Sequence, residues 1–139
     1  MSFIIDNSVA LAWCFEDEQT DAIMALLDRL TETGASAPQL WPLEALNGLL
    51  TAERRGRIDT AVRRRLAGFL QALPIIIDDE TASQVWSATA QLAERHELTA
   101  YDAAYLELAL RLGLPLATSD TALITAAQAA GVSLLTATV

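Results

Sequence analysis

The segment formed by residues 98–120, LTAYDAAYLELALRLGLPLATSD, constrains the fold more than any other part of this sequence. Apolar residues recur at helical spacing after Asp102, and Gly113 is typical of the left-handed residue that ends a helix. The short apolar run at 114–118 then predicts a buried parallel strand with Asp120 at its carboxyl end. Ligands bind at that end of the strands in open α/β sheets, so the segment predicts both a fold class and the place of a site.

The beginning of the chain repeats this order of strand, acid and helix. Residues 3–5 are apolar and predict a short strand that runs into Asp6. Asn7 and Ser8 are good N-cap residues for a helix at 9–15. The sequence therefore opens like a βαβ unit.

The rest of the chain alternates in the same way. Helical spacing predicts helices at 18–33, from Pro42 onward with Glu44 in its first turn, and at 59–70, 81–96 and 121–130. Further strands are expected at 73–77 and 132–135, the last at an edge of the sheet, and residues 36–38 are expected to form a short extended connection or a small strand. We expect an α/β fold in a single domain over residues 1–139, with a central, mostly parallel sheet of four to five short strands flanked by helices.

The residue types present limit the possible chemistry. Cys14 and His96 are the only residues of their kinds, and the sequence contains no lysine. Disulfides, thiolate zinc sites and histidine-paired nucleophiles are therefore excluded or nearly so, as are Schiff-base lysines and the lysine of P-loop proteins. Carboxylates, hydroxyls and arginines remain.

The charge distribution is uneven. A net charge of −9 argues against a simple basic nucleic-acid-binding protein. Six of the nine arginines nevertheless fall within residues 54–65, which form either a solvated helical face or a surface that contacts phosphates. No apolar run reaches the roughly 18 residues that span a bilayer, and the start of the chain lacks a signal-peptide pattern. We expect a soluble, cytoplasmic protein with no membrane partner.

Four acids can converge at one rim of the predicted sheet, because Asp6 and Asp120 end parallel strands while Glu44 and Asp102 open helices. Each acid also has an ordinary structural interpretation as a helix cap or as a charge near a positive helix end, with Thr99 and Asp102 forming a capping box. Clustered carboxylates repel one another unless a cation lies between them. Oxygen donors without histidine or cysteine indicate Mg²⁺ or Mn²⁺.

Divalent metals of this kind hold phosphate oxygens and activate a bound water, so the acids predict phosphodiester hydrolysis. Thr118 and Ser119 lie close enough in sequence to Asp120 to orient an acid or a water by hydrogen bonds. Ordinary polarity at the end of a strand is the alternative for both residues.

Four stretches, FIIDNSV, PQLWPLEALNGLL, LTAYDAAYLELALRLGLPLATSD and DTALITAAQAAGV, resemble PIN-domain proteins of the VapC toxin type over essentially the whole chain. The resemblance implies a parallel sheet wrapped by helices, a metal-dependent ribonuclease acting on RNA, a homodimer, and inhibition by a VapB-type antitoxin of a type II toxin–antitoxin pair. The antitoxin's extended tail is expected to cover the helices near Glu44. By motif, the catalytic and metal-binding acids are Asp6, Glu44, Asp102 and Asp120, and the supporting residues are Thr118, Ser119, Asn47 and Ser8.

Two other functions are compatible with the same residues. A phosphatase could use Asp6 as a covalent phosphoryl acceptor, but Ser8 stands where its second aspartate is expected and the usual lysine is missing. A non-catalytic protein-interaction domain would use the acids only as helix caps. Metal titration separates this second alternative from the nuclease, because four separate caps would not bind Mn²⁺ together.

Overall fold

The computed structural model describes residues 1–136 and contains, over that range, one sheet of five parallel strands. The strands are β1 (Ile4–Ile5), β2 (Ala35–Pro38), β3 (Ile75–Asp78), β4 (Leu116–Thr118) and β5 (Leu134–Thr136). Their order across the sheet is β3-β2-β1-β4-β5. The predicted α/β class with a parallel sheet is therefore confirmed, and the last predicted strand does lie at an edge. The domain predicted over residues 1–139 extends three residues beyond the described part.

Helices connect every pair of successive strands. They are α1 (Asn7–Ala12), a 3₁₀ turn (Glu16–Glu18), α2 (Asp21–Thr33), α3 (Trp41–Arg54), α4 (Thr60–Ala72), α5 (Thr81–Gln84), a π-helical turn (Val85–Thr89), α6 (Ala90–His96), α7 (Ala100–Leu112) and α8 (Thr121–Ala130). Among the described residues, no helix is long and apolar enough to cross a membrane.

The strand order places a topological switch point between β1 and β4. From β1 the chain proceeds outward to β2 and β3, then returns past β1 to β4 and continues to β5. Right-handed crossovers put α1 to α4 on one face of the sheet and α5 to α8 on the other. The crevice in which such folds bind ligands lies at the carboxyl ends of these two central strands, where Asp6 and Asp120 follow.

Helix α7 is the most deeply buried helix in the described part of the chain. Seven consecutive residues, Ala103–Ala109, are buried, and the helix contacts β1, β2 and β4. Its end is as predicted, since Gly113 adopts a left-handed φ of 66° and its N–H bonds to the Ala109 carbonyl. Helix α7 is therefore fixed against the strands that form the switch point.

Several predicted boundaries of helices were wrong. Helix α1 begins at Asn7, with Asp6 at the N-cap position, so Asn7 and Ser8 are not caps. It ends at Ala12 instead of residue 15. The second helix begins at Asp21 instead of residue 18, because the Thr20 hydroxyl accepts the N–H of Ile23 and caps it there.

Several strands begin one or two residues later in the chain than predicted. Pro74 and Pro115 precede β3 and β4, and proline has no N–H with which to join a ladder. The segment 36–38, expected to be an extended connection or a small strand, is part of β2, which pairs with β1 and β3. The predicted helix 81–96 includes the π-helical turn Val85–Thr89.

Candidate functional site

Asp6 is a buried carboxylate at the end of β1. Its side chain is only 4% exposed, and its Oδ2 accepts hydrogen bonds of 2.7 Å from both the Ser8 and the Thr118 hydroxyls. Burial raises the pKa of Asp6, and these two hydrogen bonds oppose the rise. The hydroxyls thus hold the carboxylate in place and favour its charged form.

The same hydroxyls connect β1 to the loop that follows β4. The Ser8 Oγ accepts the backbone N–H of Ser119 at 3.1 Å, and the Thr118 Oγ1 accepts that of Asp120 at 3.0 Å. Each hydroxyl therefore donates to Asp6 and accepts a backbone N–H of the loop that follows β4. The result is a closed hydrogen-bond network that fixes the two sides of the switch point relative to each other.

Glu44 reaches the same rim from the first turn of α3. The Tyr105 hydroxyl of α7 donates to its Oε1 at 2.6 Å, and the Tyr105 side chain is completely buried. Burial raises the pKa of Glu44, the hydrogen bond from Tyr105 lowers it, and the charge of Asp6 raises it further. Glu44 is therefore oriented by a rigid partner and lies within electrostatic range of Asp6.

The other three predicted acids lie within electrostatic range of Asp102. Burial raises the pKa of Asp102, followed by the negative charges of Asp120, Asp6 and Glu44 and by a hydrogen bond with the Asp120 carboxyl, to about 6. A carboxyl with this pKa is partly protonated just below neutral pH. The four acids thus form one electrostatic cluster at the carboxyl ends of β1 and β4.

The interpretation of these acids as helix caps holds for one of the four. Asp120 Oδ2 accepts the Leu123 N–H at 2.9 Å and caps α8. Asp6 occupies an N-cap position without a side-chain capping bond. At α7 the cap is the Thr99 hydroxyl, which accepts the Asp102 N–H at 3.1 Å. Helix capping therefore explains Asp120, and the other ordinary role, an acid near a positive helix end, remains open to Glu44 and Asp102 in the first turns of α3 and α7.

The cluster fits a hard cation by the chemistry of its donors, since all four are carboxylates and a positive charge would relieve their repulsion. Within residues 1–136, however, no group of three or more histidine, cysteine or acidic side chains is arranged to hold a metal ion. Glu44 Oε1 and Asp120 Oδ2 are instead turned toward protein donors. Binding a cation would thus require rotations that bring the carboxylate oxygens together.

The four supporting residues predicted from the sequence have different surroundings. Ser8 and Thr118 contact Asp6 directly. Ser119 is exposed and enters the network through its backbone N–H, and its hydroxyl makes no hydrogen bond with the described residues. Asn47 lies one turn after Glu44 on α3, is exposed, and makes no side-chain hydrogen bond with the described residues.

Tyr105 belongs to the site although the sequence motifs did not include it. It is fully buried, yet its hydroxyl is at the rim with Glu44. The available signal was its position three residues after Asp102, which puts both side chains on one face of α7.

Arg111 anchors the same helix at its other end. Its guanidinium pairs with Glu107 at 2.8 Å and with Asp78 at 2.6 Å, and the Glu107 side chain is almost completely buried. The hydrogen bond from Arg111 holds the pKa of Asp78 below its usual value. This cluster ties α7 to the end of β3 and so helps to position Asp102 and Tyr105.

A family comparison identifies the arrangement. The sequence model of the PIN domain family matches residues 3–129 of this chain. The chain belongs to the PIN domain family. PIN domains are generally nucleases, and they usually use divalent metal ions.

Solved structures show the same fold. The PIN domain chain is similar to PAE2754 from Pyrobaculum aerophilum, with 24% identity and a TM-score of 0.67, over 91% of this chain and 84% of that one. FitAcB from Neisseria gonorrhoeae has 19% identity and a TM-score of 0.66, with 96% of each chain covered. FitAB bound to an IR36 DNA fragment has 17% identity and a TM-score of 0.67, over 98% of this chain and 94% of that one. No curated protein matches the sequence.

Proposed function

We propose that this PIN domain is a Mg²⁺- or Mn²⁺-dependent endoribonuclease and the toxin of a type II toxin–antitoxin pair. The observation that carries the proposal is the electrostatic cluster of Asp6, Glu44, Asp102 and Asp120, in which burial and the charges of the other three carboxylates raise the pKa of Asp102 to about 6. Such crowding destabilises a fold, and it is typical of a site that binds a ligand of opposite charge.

The chain's own residues hold and orient the acids. The Ser8 and Thr118 hydroxyls favour the charged form of Asp6 and fix it at the end of β1. Tyr105 fixes Glu44 from the opposite face of the sheet. When bound, a divalent cation would supply Lewis-acid chemistry, lowering the pKa of a water and neutralising charge on the phosphodiester. Asp102, with a pKa near 6, can accept or release a proton close to neutral pH.

The choice of RNA as substrate follows the resemblance of the sequence to VapC-type toxins. FitAB, which has the same fold, is described as bound to a DNA fragment. A matched DNA oligonucleotide therefore belongs in every cleavage assay. Cleavage of RNA alone supports the proposal, and cleavage of DNA alone contradicts it.

We also propose a VapB-type antitoxin as partner. An apolar cleft of about 570 Å³ lies between α3, α4 and β3, next to Glu44. On its α3 side, Leu43 is 73% exposed and Leu46 is 40% exposed. Apolar side chains this exposed are typical of a surface that another chain covers. An extended antitoxin segment in this cleft would reach the acids.

A two-fold homodimer is the expected assembly of this protein. Two large apolar side chains that lie away from the α3 side of the cleft support this assembly. Trp86 is 92% exposed and Ile76 is 71% exposed. Residue 76 lies on edge strand β3, which has one unpaired side. Light scattering at micromolar concentration tests the assembly, and a strict monomer would contradict it.

Cleavage of a labelled RNA tests the catalytic proposal. Asp6→Asn, Glu44→Gln, Asp102→Asn and Asp120→Asn should each lower Mg²⁺- or Mn²⁺-dependent cleavage by about 10–100-fold or more. Asp28→Asn, an exposed acid on α2, is the matched control and should cleave like the parent. Full activity in all four variants, or in EDTA, would overturn the assignment and favour a non-catalytic interaction domain.

A further inference from the structure

We propose that the exposed arginines of residues 54–65 bind the phosphate backbone of the RNA strand whose scissile bond lies at the acidic cluster. This inference rests on the proposed function and names how the substrate is held. Residues 54–65 contain six arginines and one aspartate, a net charge of +5, whereas the rest of the chain contains three arginines and seventeen acids, a net charge of −14. The positive charge of this protein is thus concentrated in one short segment.

Two of the six arginines have structural roles. Arg57 pairs with Asp17 at 3.0 Å and stacks over the Phe15 ring at 4.2 Å. Arg63 pairs with Glu53 at the end of α3. These interactions connect the segment to the body of the domain and leave the other four arginines to be explained.

Arg54, Arg55, Arg64 and Arg65 are exposed and form no ion pair with any described residue. Arg64 lies close enough to Glu53 for its charge to contribute to lowering the pKa of that carboxyl, so the end of α3 and the start of α4 present one surface. We call these four residues the arginine patch. Guanidinium groups in this state present several N–H donors that match phosphate oxygens.

Helix α3 connects the arginine patch to the acidic cluster. Glu44 and Arg55 are eleven residues apart, which is just over three full turns, so they lie on the same side of the helix about 16 Å from each other. Asn47 and Thr51 lie between them on nearly the same side, and Asn47 is exposed. A single RNA strand can follow this polar stripe from the acids to the arginines.

The negative charge of the rest of the molecule does not prevent this binding. At physiological ionic strength, charges are largely screened beyond about 8 Å. A phosphate at the arginine patch therefore interacts mainly with the arginines themselves, whereas the acidic cluster is about twice that distance away along α3. An acidic segment of a protein partner would find the same positive charge, but the stripe leads to the nuclease site, which favours the substrate.

Fluorescence anisotropy measures RNA binding in EDTA, where cleavage does not occur. The labelled single-stranded RNA has about 20 nucleotides, which is longer than the roughly 4–16 nucleotides that one OB fold binds. The variants are Arg54→Gln with Arg55→Gln, and Arg64→Gln with Arg65→Gln. Arg95→Gln, an exposed arginine on α6, is the matched control. Each lost phosphate contact should weaken binding about 5-fold at 0.1 M salt and lower the slope of log Kd against log salt by about 0.7. Circular dichroism confirms that the variants are folded.

The outcomes separate this inference from the proposed function. Weaker binding and a lower salt slope in the two double variants, with Arg95→Gln unchanged, support the arginine patch even if the protein cleaves no RNA. Unchanged affinity and slope in both variants overturn it, even if the parent cleaves RNA with Mg²⁺. If the double variants lose binding to a polyglutamate peptide but bind RNA like the parent, the arginine patch binds an acidic protein partner. This result also overturns the inference.

Discussion

Replacing Asp102 by asparagine should stabilise this protein in the absence of divalent metal. Burial and the neighbouring acids raise the pKa of Asp102 from 3.8 to about 6, which means that the fold disfavours its charge. The asparagine side chain has nearly the same shape and no charge. The α7 cap is retained, because the Thr99 hydroxyl accepts from the backbone N–H at position 102.

The magnitude follows from the pKa. One pKa unit is worth about 1.36 kcal/mol, so a rise from 3.8 to about 6 corresponds to at most about 3 kcal/mol at pH 7. Asp102 is partly exposed, and solvent screening reduces this value to about 1 kcal/mol. The lost charge in the first turn of α7 costs about 0.3–1 kcal/mol. A net gain of about 0.5 kcal/mol remains, or a melting temperature higher by about 1–3 °C.

The sign of the pH dependence is fixed by linkage. A carboxyl whose folded pKa is raised binds protons more readily in the folded state than in the unfolded state. Its destabilisation is fully present above about pH 6 and is relieved as the pH falls through 6 toward 4. The difference in melting temperature between Asp102→Asn and the parent should therefore be largest near pH 7 and vanish near pH 4.

Thermal melts of the parent, Asp102→Asn and the control Asp28→Asn, in EDTA and in millimolar Mg²⁺, test this reasoning. Asp28→Asn removes one charge from the same acidic protein away from the cluster. Mg²⁺ should raise the melting temperature of the parent more than that of Asp102→Asn, because only the parent keeps every carboxylate. A lower melting temperature for Asp102→Asn in EDTA, combined with equal shifts by Mg²⁺, would refute the clustered site.

Three further substitutions test the contacts that hold the site. Thr118→Val should lower the free energy of unfolding by about 1–3 kcal/mol in urea titrations at pH 7, since the buried Asp6 carboxylate loses a donor; unchanged stability would contradict the network. Tyr105→Phe should leave the fold intact and weaken metal affinity by about 10–100-fold in a calorimetric Mn²⁺ titration, because Glu44 loses its orienting partner. Arg111→Leu should cost about 3–5 kcal/mol by leaving the buried Glu107 unpaired, and a loss below 1 kcal/mol would show that the pair is dispensable.

The fold could be predicted from the sequence because its signals are local and repeated. Apolar runs followed by an acid and a helix occur at the ends of β1 and β4, and the resulting parallel sheet places those ends together. Segments without such signals were harder. Strand β2 has the sequence ASAP, which has low β-propensity. It nevertheless forms a strand, because β1 and β3 pair with its two edges, and all four of its residues are buried.

The positions of the acids could be predicted, but not the state of each side chain. Sequence spacing shows that Asp6 and Asp120 follow neighbouring strands, whereas only the structure shows that Asp120 caps α8 while Asp6 is bound by two hydroxyls. Those hydroxyls belong to residues distant in the chain, since Thr118 and Asp6 are 112 positions apart. Contacts of that range depend on the strand order, which no local pattern encodes.

The distribution of contacts explains how a fold can tolerate four neighbouring carboxylates. The Thr118 hydroxyl donates a hydrogen bond to Asp6, and the Tyr105 hydroxyl donates one to Glu44. Both donors are almost completely buried. In both acids, hydrogen bonds to the charged form oppose the effect of burial, so the cost of keeping these two carboxylates charged is reduced locally. Among the four, a pKa near 6 belongs to Asp102, which lacks such a donor. Asp102 lies in the first turn of a helix that Arg111 holds in place from its other end. A site arranged in this way can gain or lose one proton at the Asp102 side chain close to neutral pH.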